Sequence, residues 1–74
     1  MWEKYQNENS GVEQFEIGED YIRIRFKTSD EIYTYNHEVP GVKETEKMKE
    51  LAIVGQGLST YISQEIGDRY FSKS

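Results

Sequence analysis

His37 is the only histidine in the chain, and no cysteine accompanies it. A metal pair would need a second imidazole one helical turn away or a thiolate partner, and neither occurs. His37 stands between Asn36 and Glu38, just past a strand-like run, so a solvated loop position is expected rather than a general base. The carboxylates fall on strand and helix faces that meet water, or in turns, and no spacing selects an acid–base pair. No serine or threonine has a base placed beside it. Gly55-Gln56-Gly57-Leu58-Ser59-Thr60 puts glycines ahead of a helix start, an arrangement that can cradle phosphate. It lacks the Gly-Lys-Ser/Thr of a P-loop and the third glycine of a dinucleotide fingerprint, and it follows a helix instead of a strand. It reads as a helix–helix turn. The expectation is a chain with no catalytic residue, no metal ligand and no cofactor.

Binding chemistry is better represented. Tyr21, Arg23, Arg25 and Lys27 recur every second residue, so a strand would display all four on one side, a basic stripe beside an aromatic ring. Sheet-borne aromatics flanked by cations hold single-stranded RNA in many proteins. Against that, a register that sets Glu16 opposite Arg23, with Asp30 or Glu31 near Lys27, makes the same stripe a neutralised charge ladder, and this is the preferred reading.

These residues need elements to position them. Val12 to Ile17 alternates, with Phe15 and Ile17 on one side and Gln14 and Glu16 on the other, which is the period of a strand. Gly18-Glu19-Asp20 is a turn. Pairing Ile17 with Ile22 and Phe15 with Ile24 then gathers four apolar side chains on one face, and a slip by one residue would expose them all. Tyr33 and Tyr35 join that face if the loop around residues 27–31 leaves an even number of residues unpaired. Ahead of these strands, residues 3–11 are polar and read as a loosely held lead-in pinned by Trp2.

Pro40 ends the extended run and suits a first helical turn. From there Val42, Thr45, Met48, Leu51 and Ala52 recur at helical spacing, with Lys43, Glu44, Glu46, Lys47, Lys49 and Glu50 on the opposite, polar side. Glu44–Lys47 and Glu46–Lys49 are the expected ion pairs along this helix. Gly55 and Gly57 end it. A second helix carries Leu58, Tyr61, Ile62 and Ile66 on one stripe, with Ser59 as its N-cap, and Gly67 closes it. Tyr70 and Phe71 fold back before a free tail. The expected fold is α+β: a three-stranded antiparallel β-meander followed by two α-helices packed on one face, as a single domain over residues 1–74.

Seventy-four residues without cysteine can hold no disulfide, which suits a reducing compartment and places the protein in the cytoplasm. No apolar run is long enough for a membrane span, and the first residues lack a signal-peptide core. The net charge of −5 is uneven: it resides in residues 1–20, and residues 21–74 carry equal numbers of basic and acidic groups. An acidic first third with a neutral body does not attract nucleic acid or anionic lipid as a whole.

Taken together, Tyr33-Thr34-Tyr35, Val39-Pro40, the strand residues Ile22, Ile24 and Phe26, the helix residues Tyr61, Ile62 and Ile66, Tyr70, and an early Trp2 resemble the KTSC domain. This is a short bacterial domain found alone and at the C-terminus of some lysyl-tRNA synthetases. The resemblance spans nearly the whole chain. It departs from the family before the last helix, where Gly57-Leu58-Ser59 stands for a Ser-x-Gly pattern, and along that helix, where Ser63, Gln64 and Glu65 replace basic residues. The resemblance implies an uncharacterised accessory module, with RNA binding suggested by the synthetase association. The function expected is therefore a non-enzymatic module for an unknown protein partner, the alternative being tRNA or single-stranded RNA on the face of Tyr21, Arg23, Arg25 and Lys27.

Overall fold

The computed structural model describes residues 2–74 and has an α+β fold, an antiparallel sheet with two helices. Three strands lie where alternation places them: β2 (Val12–Ile17), β3 (Tyr21–Phe26) and β4 (Ile32–Asn36). The sheet nevertheless has five strands, not three. Glu3–Lys4 forms β1 along β2, and Ser72–Lys73 forms β5 along β4, so the order is β1-β2-β3-β4-β5. A two-residue strand is too short to show a period, which is why neither stands out in the sequence. Backbone hydrogen bonds hold them instead. Tyr5 N donates to Glu13 O at 2.9 Å, and Ile32 and Ser74 exchange a pair at 2.7 and 3.0 Å. The tail expected to be free is thereby part of the sheet.

The central register is the one the apolar pattern requires. Ile17 faces Ile22, Phe15 faces Ile24 and Glu16 faces Arg23. On the other side of β3, Ile24 faces Tyr33 and Ile22 faces Tyr35, because residues 26–31, an even number, lie beyond the last pair, Arg25 with Ile32. A register shift between Val12 and Gln14 marks a β-bulge at Glu13. Val12 and Phe15 have opposite parity, and the extra residue lets both enter the core.

Helix α1 (Val42–Val54) begins after Gly41, so Pro40, joined to Val39 by a cis peptide, precedes the first turn instead of opening it. The helix ends at Gly55, whose φ of 87° lets its N–H reach Leu51 O at 2.9 Å. The second helix, α2 (Leu58–Tyr61), continues without interruption into a π-helical turn, Ile62–Ile66. Its N-cap is Gly57, not Ser59, which lies inside the first turn. No helix among the described residues is long and apolar enough to cross a membrane.

One hydrophobic core gathers Phe15, Ile22, Ile24 and Tyr35 from the sheet, Met48 and Ala52 from α1, and Leu58, Ile62 and Ile66 from the second helix and its π turn. Tyr33 and Tyr70 pack at its margin, edge to face at 5.1 Å between centroids. The lead-in is anchored by Tyr5, 2% exposed, and not by Trp2, which is only half-buried. Tyr5 is the better anchor because its ring meets Phe15 edge-on while its hydroxyl accepts the Leu58 N–H at 3.1 Å. That bond satisfies one of the donors a helix start leaves unpaired.

Lys49 also departs from expectation. It belongs to the buried side of α1 with Thr45, Met48 and Ala52, not to the solvated side. Its stem covers apolar surface while Nζ donates to Glu19 O at 2.8 Å and pairs with Glu46 at 2.8 Å. The expected Glu46–Lys49 pair thus forms, whereas Lys47 pairs with Glu50 at 3.5 Å.

Candidate functional site

On β3 the buried Ile22 and Ile24 alternate with Tyr21, Arg23 and Arg25, which therefore lie on the sheet's outer face. Cross-strand pairing orders this face in rows. Tyr21 lies opposite Asn36, and Arg23 lies between Glu16 and Thr34. Arg25 lies between Gln14 and Ile32, with Lys4 next across from Gln14. The fourth expected member, Lys27, does not join them. It lies past the end of β3, its backbone N–H bonded to Gly11 O at 2.8 Å and its ammonium donating to the Glu8 carbonyl. Of the two acids expected near Lys27, Asp30 and Glu31, the second pairs with Lys73 at 3.3 Å.

The two arginines differ in their surroundings. Arg23 Nη1 contacts Glu16 Oε1 at 3.1 Å, and its guanidinium lies 5.0 Å from the centre of the Tyr21 ring. Each contact is worth at most about 1 kcal/mol at this exposure. Together they orient the side chain and offset part of its charge. Arg25 is exposed and makes no ion pair among the described residues, and neither does Lys4. The row that holds them contains a glutamine where the neighbouring row has a glutamate.

His37 lies in the loop after β4, partly exposed as expected, and its side chain is also tethered. Its Nε2 lies 2.8 Å from Glu46 Oε2, the same oxygen that Lys49 contacts, and its backbone N–H donates to Asp20 O at 3.1 Å. The hydrogen bond from His37, followed by that from Lys49, holds the Glu46 carboxyl below its ordinary pKa. Thr45 Oγ1 donates to Asn36 O at 2.7 Å, and Asn36 Oδ1 accepts the N–H groups of Glu38 and Val39. These bonds fasten the loop after β4 to the start of α1. No three histidine or carboxylate side chains among the described residues are placed to share a metal ion.

Two depressions lie on the surface, the second of them sharing Glu46 with this network. One, of about 190 Å³, is lined by Asn7, Asn9, Ser10, Gly11, Gly57, Ser59 and Thr60. The glycine turn forms one wall of it, with Gly55 and Gly57 at φ of 87° and 85°, a helix–helix connection as expected. Ser10 Oγ and Asn7 Oδ1 already accept the N–H groups of Val12 and Asn9. The other, an open groove of about 550 Å³, is lined by Lys43, Glu46, Lys47, Glu50, Tyr61 and Glu65. Burial, and then the charges of Glu44 and Glu65, keep the Tyr61 phenol protonated above its ordinary value. In neither depression do the hydrogen bonds assemble a nucleophile with a base.

Three of the four residues singled out from alternation therefore share one face. Gln14 and Ile32 share it too, as alternation along β2 and the loop parity before β4 require, and Lys4 joins them through strand pairing alone, because it sits in a run too short to have a period. No family model matches the chain, and no curated protein or solved structure matches it.

Proposed function

We propose that the chain is a non-enzymatic, cytoplasmic accessory module that binds another protein through the outer face of its sheet. The observation that carries this reading is the composition of that face. An aromatic ring, Tyr21, is held against Arg23, and Arg23 is in turn paired with Glu16, so the middle of the face is mixed in charge and partly apolar. Protein interfaces favour Tyr and Arg in this combination. The KTSC-like pattern of Tyr33, Tyr35 and Val39-Pro40, and the inner-face role of the two tyrosines, support treating those residues as fold determinants and the outer face as the place for a partner. In affinity capture from native lysate, the tagged domain should retain a protein whose recovery survives RNase and is lost with R23E/R25E. Equal recovery by the double variant would refute this face as the contact.

A second reading, tRNA or single-stranded RNA on the same face, is favoured by the unneutralised Arg25 and Lys4. It predicts retention of RNA on a filter at low salt, with a steep loss of affinity as salt rises. RNA that is not retained at low salt would exclude it.

A further inference from the structure

We infer that the anion taken by the outer face is a carboxylate on an extended protein segment, seated at Arg25. This rests on the protein-binding reading above. The face itself shows the mode of recognition. In the row of Arg23 the facing residue on β2 is Glu16, and the guanidinium takes its carboxylate at 3.1 Å. In the row of Arg25 the facing residue is Gln14, so an equivalent guanidinium has no acid to meet. Both arginines leave the same strand on the same side, two residues and therefore about 6.6 Å apart. A carboxylate arriving from outside can occupy beside Arg25 the place that Glu16 occupies beside Arg23, and a guanidinium accepts it through two parallel hydrogen bonds. Lys4 lies on the far side of Gln14 in the same row and adds a second cation. On the opposite side Ile32, half-buried, offers an apolar contact. The complement of this row is an acidic side chain with an apolar one two residues away along an extended segment, which presents both on one side.

A nucleic acid is the other anion to consider, and the number of free cations decides against it. Arg23 is paired with Glu16, and Lys27 is held by the Glu8 carbonyl away from the face, which leaves Arg25 and Lys4 among the described residues. About two phosphate contacts would give a salt slope of only about −1.4 for a single strand, well short of the multiple contacts on which non-specific binding relies. A net charge of −5 opposes a polyphosphate more than it opposes a segment with one or two acids.

The test is a two-dimensional amide NMR titration of the folded domain with three probes: a blocked hexapeptide alternating glutamate and leucine, its glutamine-for-glutamate counterpart, and a uridine hexanucleotide. The glutamate peptide should shift the amides of Gln14, Arg25 and Ile32. R25A should weaken its binding about tenfold, the cost of one charge-assisted contact, while leaving the rest of the spectrum unchanged. The glutamine peptide should give no shifts. Equal shifts from the glutamine peptide, tighter binding of the oligonucleotide, or no shifts from the glutamate peptide would each overturn the inference. If the peptide fails while lysate capture remains sensitive to R23E/R25E, the carboxylate assignment falls and the protein-binding reading stands.

Discussion

The two faces of the sheet are built from alternate residues of the same strands, yet they are specified to different degrees. On the inner face every position of β3 is constrained. Ile22 and Ile24 are fully buried and meet Phe15, Ile17, Tyr33 and Tyr35 across both neighbouring strands. On the outer face the same strand places Tyr21, Arg23 and Arg25 among Glu16, Gln14, Thr34 and Ile32, with an ion pair and a cation–ring contact at Arg23. The inner face holds the domain together, and the outer face can change without unfolding it. In this molecule the apolar core and the polar, charged surface occupy opposite sides of one layer.

That contrast can be broken first at Ile24. I24A should cost about 2–5 kcal/mol, comparable with the whole stability of a domain this small, about 3–5 kcal/mol, so the variant should be largely unfolded by circular dichroism. I24V, at about 0.5–1.5 kcal/mol, should remain folded with a lower urea midpoint. A folded I24A would mean that the inner face is not the source of stability.

Next in size is Y5F. It leaves the buried Leu58 N–H without its acceptor at a cost of about 1–3 kcal/mol, read from urea unfolding. An unchanged midpoint would show that the lead-in is not tied to the second helix by this bond.

Alkaline titration sharpens the difference between the faces without a new contact. Burial, reinforced by Tyr33 and Tyr70, raises the Tyr35 phenol above its ordinary value of 10.0. Above that pH the unfolded chain releases this proton and the folded chain keeps it, so stability should fall as pH rises past 10. Y35F should flatten that slope, and an unchanged slope would show that the buried Tyr35 phenol is not its source.

Smaller again is the acid limb. Glu46 titrates below its ordinary 4.5 because His37 and Lys49 contact it, so its contribution is present above that pH and lost as pH falls through the lower folded value. E46Q should lower the melting temperature near neutrality and converge with wild type in acid.

The smallest effect belongs to the outer face. R23A should change stability by less than about 1 kcal/mol, the ordinary range for an exposed ion pair. A larger loss would mean that the two faces are not separable.

What could be read from the chain follows the same division. Ile17, Ile22, Phe15 and Ile24 define their register because a slip would expose all of them, and Tyr33 and Tyr35 follow from loop parity. Edge strands β1 and β5 were not legible, since two residues such as Glu3 and Lys4 have no period and are held by backbone hydrogen bonds. Lys49 was misplaced because charge is an unreliable guide to direction for a side chain with a long apolar stem. Thr45 and Lys49 lie one helical turn apart, and that spacing was the available signal. On the outer face, alternation alone puts Lys27 beside Arg25, but β3 ends before it and the chain turns away. Conversely, Lys4 reaches that face only through its pairing with Gln14, which alternation within one strand does not report.

The last three residues carry a consequence for how copies of the chain behave toward one another. Lys73 and Ser74 cover the open side of β4 at Tyr33 and Ile32, and Ser72 and Phe71 cover Thr34. Removing residues 72–74 would leave the core composition intact while exposing a row of unpaired amides and carbonyls beside two tyrosines, a template for another strand of the same kind. Residues 72–74 thus cover that edge, and a variant lacking them should aggregate at lower concentration than the full chain while its circular dichroism stays native.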